Sequence, residues 1–399
     1  MRSLALIIVL PLDTLFLIIQ ILMRREAELI FATSKWPDFT ELCASNFKVA
    51  YISSPDQFLR FRRKIKGLQY IPAGPIYVLS GLGFLLPAPY RDVWSRKVTE
   101  ISAFVLRRLF SKERRLLIVH SDALPFARSL VLGAKNISAW TLCIQHGYFS
   151  AKSNVAERDG SLCKINIVRS HEDYELLERS AESSEFLVSP DFFLLNVEQR
   201  RSTRPRILFL GEGHHIVDEE FNNCYLSRLR EIYDQCNRLD VEVAFRPHPS
   251  ERRRISSPNF SKIDTDSLES SIAAANCVVG HSSTVLQDSA ALGIPSFYIE
   301  VNGQSHDLER NGRKVDKFQS SSNLADVAME HFQKNYHEQY SLANKKVEAL
   351  RSVVSHLRSL LNDSESEPDK ENQIRETMTR WGSQCGEIRG LQSTVDLKE

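Results

Sequence analysis

Charge of one sign is what this sequence most plainly lacks. Lys and Arg total 51 against 50 for Asp and Glu, a net charge of +1, so no global field draws the chain to nucleic acid or to an anionic membrane. An anionic ligand has to be held locally. Cysteine is sparse too: Cys43, Cys143, Cys163, Cys224, Cys236, Cys277 and Cys385 are widely scattered, with no C-x-x-C pair and no Cys/His cluster at zinc spacing. That argues against a disulfide framework and against a structural metal, and predicts a reducing, cytoplasmic setting.

Long hydrophobic runs are missing except at the N-terminus. Leu4 to Leu22 is almost wholly apolar and is flanked by Arg2, Arg24 and Arg25, as a membrane anchor would be. Pro11 and Asp13 interrupt it, so the reading preferred here is a buried strand over Leu4 to Leu10 and a helix capped by Asp13 that runs to Arg25. No small-residue cleavage site follows, which argues against a secretory signal.

At 399 residues, with 42% apolar and 25% charged residues, the chain is long enough for two cores. Short apolar runs recur at 28 to 33, 47 to 53, 75 to 81, 115 to 122 and 139 to 147, separated by polar or helical stretches, which predicts βα repeats. A polar connector with two prolines between about Val188 and Arg206 marks the domain boundary. Beyond it the alternation resumes: strands at 206 to 210, 241 to 247, 277 to 281 and 296 to 300, and helices at about 219 to 237, 266 to 275 and 283 to 292. Val347, Leu350, Val353, Val354, Leu357, Leu360 and Leu361 form one apolar helical stripe that reads as core. The expected organisation is a first Rossmann-like domain over 1–195, a second over 205–361, and a polar, poorly ordered tail over 362–399.

In doubly wound sheets ligands bind beyond the carboxyl ends of the strands, so the loops that follow strands are where chemistry is expected. Arg246, His248 and Pro249 follow the strand at 241 to 245. The prolines fix His248 at the strand tip, and Arg246 offers a planar fork to an anion. The alternative is a rigid turn with an incidental histidine. Ser282, Ser283 and Thr284 stand where a strand hands over to a helix, placing N–H and O–H donors at a helix start, which is either an anion site or an ordinary cap. Asp288, one turn on, is a candidate acceptor for ribose hydroxyls. Gly211 and Gly213 permit close approach of backbone to ligand. In the first half, His146 and Asp159 are the candidates for a general base. The basic stretch Arg60 to Lys66 and the cluster Arg107, Arg108, Lys112, Arg114, Arg115 read either as solvated helix faces or as peripheral contacts with a membrane or anionic acceptor.

The segments RPHPSE (246 to 251) and GHSSTVLQDSAALGIPSFYI (280 to 299) resemble the C-terminal domain of GT-B glycosyltransferases. They are similar in particular to bacterial sialyltransferases, polysialyltransferase-like capsule enzymes and CDP-glycerol transferases, and QHG at 145 to 147 resembles the first domain of surface-polysaccharide transferases. The resemblance implies two Rossmann-like doubly wound domains facing a cleft. It also implies a nucleotide-sugar donor, CMP- or CDP-linked, as substrate rather than any bound cofactor, and a glycan or glycolipid acceptor. By resemblance His248 contacts the cytidine nucleotide, and Ser282, Ser283 and Thr284 bind its phosphate. The acidic motif of the sialyltransferases has an arginine intervening here, in Glu157-Arg158-Asp159-Gly160. A sugar-nucleotide 2-epimerase and a non-catalytic nucleotide-sugar-binding protein are the rival readings.

Overall fold

The computed structural model describes residues 2–23, 26–33, 36–53, 68–83, 86–111, 114–121, 125–145, 162–178, 185–195, 203–214, 218–249, 251, 260–303, 315–334 and 338–363. The chain divides into two compact units, residues 1–189 together with 350–399, and residues 190–349. The expected tail falls outside the described residues from 364 on.

In the first unit seven strands form one sheet: β1 (Leu29–Phe31), β2 (Val49–Ser53), β3 (Gln69–Pro72), β4 (Leu116–Val119), β5 (Trp140–Ile144), β6 (Ile165–Val168) and β7 (Glu185–Val188). Their order is β3-β2-β1-β4-β5-β6-β7, and all neighbours are parallel. Parallel strands are covered on both faces, and β1 and β4 accordingly are buried along their whole length. Alternate residues Ile30, Ala32, Ala50, Ile52, Leu117 and Val119 face one core. That core is closed by α1 (Arg2–Leu22), α3 (Gly74–Leu82), α4 (Ala88–Leu109) and α5 (Pro125–Lys135), through Leu17, Ile76, Leu106 and Leu130 among others. On the opposite face α2 (Pro37–Ala44) sets Phe39 edge-on to Phe31, ring centres 5.8 Å apart. The helix α6 (His171–Glu178) lies between β6 and β7 in the chain.

Two expectations for this half fail. Residues 4 to 10 are not a strand; they belong to α1, a single helix that carries Pro11 within it. Asp13 is therefore no cap. It faces inward, 8% exposed, and burial raises its pKa. The apolar run at 75 to 81 is the helix α3, started by Pro75 in its first turn, where a missing N–H costs nothing, and the strand is the preceding β3.

The second unit holds β8 (Arg206–Leu210), β9 (Glu242–Arg246), β10 (Cys277–Gly280), β11 (Ser296–Tyr298) and β12 (Asp316–Lys317), in the order β12-β11-β10-β8-β9, again all parallel. On one face Phe209, Phe245 and Val279 pack with Tyr225, Leu229 and Tyr233 of α7 (Glu219–Cys236) and with Leu324 of α10 (Ser321–Lys334). On the other, Leu208, Ala244 and Val278 pack with Ile272 of α8 (Leu268–Ala273) and Leu286 of α9 (Thr284–Ala291). Helices thus cover both faces of a parallel sheet, which is the doubly wound arrangement. The strand order reverses between β8 and β10, so the crevice beyond their carboxyl ends is where this topology receives a ligand.

The last helix, α11 (Glu338–Asp363), is divided between the units: residues to 349 belong to the second, residues from 350 to the first. Leu350, Val353, Val354, Leu357, Leu360 and Leu361 are buried, whereas Val347 is exposed. The apolar stripe is core, as read, but from Leu350 on it serves the first unit rather than the second.

Candidate nucleotide site at the switch point of the second unit

Three loops leave the carboxyl edge of the second sheet, and two buried carboxylates tie them together. From the loop after β8, Glu212 reaches across to the loop after β10. Its Oε1 accepts from the His281 N–H at 2.5 Å, and its Oε2 accepts from the Ser282 N–H at 2.8 Å and the Ser282 hydroxyl at 2.9 Å. His214 Nε2 stands 3.2 Å from the same Oε2, with the Glu212 side chain only 3% exposed. Burial pushes the Glu212 carboxyl up, but the His214 ring and the two backbone N–H groups outweigh it and hold it below the ordinary glutamate value. A fixed carboxylate therefore holds the turn just ahead of α9, bound by the His281 and Ser282 N–H groups that precede the cap Ser283.

Glu251, 1% exposed, does the same between its own loop after β9 and the loop after β8. It accepts from the Gly213 N–H at 3.0 Å and from the His248 N–H at 2.9 Å. The turn is closed by the Glu251 N–H donating to the His248 carbonyl at 2.8 Å.

Gly211, one of the two glycines expected to admit a ligand, gives room to Glu251, and Gly280 gives room to Glu212. A Cβ on Gly211 would stand 2.1 Å from Glu251 Oε2 and 2.9 Å from the His248 nitrogen, and one on Gly280 would stand 2.6 Å from Glu212 Oε1. Gly213 has φ +69°, a left-handed conformation that costs a side-chain-bearing residue about 1 kcal/mol.

Arg246 is tied inward through one nitrogen. Its Nη1 donates to Ser271 Oγ at 2.6 Å and to the Asp266 carbonyl at 2.8 Å, and lies 3.5 Å from Asp264 Oδ1. Asp264, itself buried, also holds Arg206 Nη2 at 2.6 Å. Nη1 is thus committed to an internal ion network beside β9. Of the other expected residues, His248 is half-buried behind the buried Pro247, Pro249 is exposed, and Ser282, Ser283 and Thr284 are half-buried. Ser283 caps α9, its Oγ accepting from the Val285 N–H at 3.2 Å, which leaves its own proton to be donated elsewhere. Asp288 is buried one turn into α9, 8% exposed.

His281 lies on the core side of its loop. It is fully buried, its Nδ1 is 2.7 Å from the Ile299 carbonyl, and its ring packs against His214, Phe221 and Tyr225. The Tyr225 hydroxyl donates to the Leu210 carbonyl. Burial and the two nearby carboxylates raise its pKa well above the ordinary tyrosine value, so it stays a neutral donor. His146 and Asp159 lie outside the described residues, as does His215. Among the described residues no group of three or more His, Cys, Asp or Glu stands close enough to hold a metal ion.

Sequence reasoning missed Glu212, Glu251 and Asp264 as anchors. A signal existed for the first: a lone acid between two glycines at a strand end has its neighbours cleared for its own carboxylate as readily as for a ligand.

No family model matches this chain, and no curated protein matches it. Solved structures do. A Listeria monocytogenes protein provisionally named a UDP-N-acetylglucosamine 2-epimerase is 12% identical, with TM-score 0.52 over 85% of this chain and 97% of that one. The fold shared with it is a two-domain Rossmann-like fold with a parallel sheet in each unit. The wall teichoic acid polymerase TagF (12% identity, 92% and 98% covered, TM-score 0.48) is a weaker likeness. So is the calicheamicin glycosyltransferase CalG4 (11%, 85% and 99%, 0.47). At these identities the likeness concerns architecture, and chemistry has to be argued from the site.

Proposed function

We propose that the chain is a glycosyltransferase that moves a sugar from a CMP- or CDP-linked donor to a surface-polysaccharide or lipopolysaccharide acceptor, without a metal. The observation that carries this reading is the convergence of the Gly211–His214, His248–Glu251 and His281–Thr284 loops at the β8/β10 switch point, cross-tied by Glu212 and Glu251. A nucleotide placed there meets a histidine at a strand tip and hydroxyls at a helix start.

Because Glu212 already fills the N–H groups of His281 and Ser282, the donors assigned to the phosphate are the hydroxyls of Ser283 and Thr284 together with His248. Stabilising the leaving phosphate with preset donors lowers the barrier where charge develops. His146 or Asp159 is assigned as the base that takes the acceptor hydroxyl proton. Calorimetric titration with CMP, CDP and UDP tests the donor. His248→Ala is expected to weaken CMP or CDP binding at least about tenfold, the worth of one hydrogen bond to a charged group. UDP preference, or binding indifferent to His248, sinks the cytidine reading. Activity unchanged in both His146→Ala and Asp159→Asn removes the proposed base.

One observation favours a second reading. A sugar-nucleotide 2-epimerase needs carboxylates near the sugar, and Glu212 and Glu251 do reach this edge. Both, however, are buried and bound by backbone N–H groups, which suits anchoring better than proton abstraction. Solvent deuterium entering a UDP-sugar during turnover would decide for the epimerase.

A further inference from the structure

The helix α1 has two faces, and both are apolar. Leu17 and Ile21 join the first unit's core, and Gln20 accepts a bond from Gln69 of β3 at 3.4 Å. The other face carries Leu15, Phe16, Ile18, Ile19, Leu22 and Met23, all exposed, Leu22 to 74%. On a surface helix those positions should be polar.

The exposure continues on the neighbours. α1 packs against α3 and α4, and all three close the same face of the sheet, so their outer sides look the same way. Tyr77 and Leu82 of α3 are exposed there. On α4 the outward stripe reads Tyr90, Val93, Lys97, Ile101, Phe104, Arg108, at helical spacing, with Tyr90 63% exposed. The Arg108 guanidinium lies 5.6 Å from the centre of the Phe104 ring. Around this stripe α4 exposes Arg91, Arg96, Lys97, Arg107 and Arg108 against Asp92 and Glu100, five cations to two acids.

We propose that this face of the first unit docks onto the surface of an anionic phospholipid bilayer, with the outer faces of α1, α3 and α4 set among the acyl chains and the α4 cations at the headgroups. Contiguous exposed apolar surface marks an interaction site, and an apolar face rimmed by Lys and Arg is the pattern of an interfacial helix. A second copy of the chain suits the patch less well, since a two-fold contact would bring the α4 cations toward one another. Docking in the plane also fits the helix better than spanning. Asp13 and Leu17 face the protein core, and a spanning α1 would carry Asp13 into hydrocarbon. No helix among the described residues is long and apolar enough to cross a membrane. This inference stands on packing and charge alone, whatever reaction the second unit performs.

The test is co-sedimentation of the full chain with vesicles of phosphatidylcholine alone and mixed with phosphatidylglycerol. Binding to the mixed vesicles, weakened by salt, is expected. Leu15→Ser/Ile19→Ser/Leu22→Ser is expected to lower it by about tenfold or more, with circular dichroism and thermal unfolding unchanged because these side chains are exposed. Arg107→Gln and Arg108→Gln should each lower binding to the mixed vesicles about fivefold and barely affect the neutral ones. Absence of vesicle binding overturns the proposal, as does binding indifferent to these substitutions. So does a concentration-dependent dimer, seen by light scattering, that the serine variant abolishes.

Discussion

Replacing Glu212 by glutamine keeps the shape of the side chain and removes its charge, so it isolates what the carboxylate does. In the native loop the two oxygens serve the His281 N–H, the Ser282 N–H and the Ser282 hydroxyl, beside His214. Glutamine has one carbonyl oxygen; whichever way it turns, an NH2 group faces one of the two backbone N–H groups. One charge-assisted bond worth about 1.5–3 kcal/mol is lost, and a buried donor is left facing a donor. A loss near 3 kcal/mol is expected, roughly two orders of magnitude in the local opening equilibrium. Hydrogen exchange read on peptides covering residues 277–290 should show that acceleration at His281 and Ser282. The acid dependence follows from the sign of the shift. The folded-state pKa of Glu212 is depressed, so its stabilisation is present above the unfolded-state value and is lost as pH falls through the folded one. The gap between wild type and Glu212→Gln should therefore narrow in acid. Unchanged exchange at residues 281 and 282, or a gap constant with pH, would refute the reasoning.

Gly211→Ala should destabilise the second unit by about 1–3 kcal/mol in urea denaturation, because its Cβ would meet Glu251 Oε2 and the His248 nitrogen; a neutral effect would mean that the turn relaxes freely. Arg246→Met should lower stability by about 2 kcal/mol by uncovering part of the buried Asp264 charge, while changing nucleotide affinity less than about fivefold. A large affinity loss at unchanged stability would restore Arg246 to the ligand. Burial pushes the Cys236 thiol up to about 11 and raises Cys43 and Cys277 as well. Alkylation near neutral pH, read by mass spectrometry, should accordingly modify the half-buried Cys224 well before those three; equal rates would mean that the cores open readily.

Much of the second sheet was legible because its strands are buried on both faces and so appear as unbroken apolar runs between turn signals. Arg206–Leu210 and Cys277–Gly280 stand out for that reason. The first unit was harder. An apolar run of six or seven residues has no period that separates a strand from a buried helix, and Leu4 to Leu10 and residues 75 to 81 both proved helical. The site was legible as a set of loops but not as a set of bonds. Glu212 meets Ser282 across 70 residues and Glu251 meets Gly213 across 38, distances over which local pattern is silent. The bonds of Arg246 were hidden for the same reason, its partners Asp264 and Ser271 being 18 and 25 residues away.

The division of α11 has a consequence for biosynthesis. Leu350, Val353, Val354, Leu357, Leu360 and Leu361 are buried in the unit that begins at the N-terminus, yet they leave the ribosome after the whole second unit has been made. Domains generally fold in the order of their synthesis. Here the unit made first is finished last, so whatever apolar surface its last helix covers stays open for the time it takes to translate the second unit.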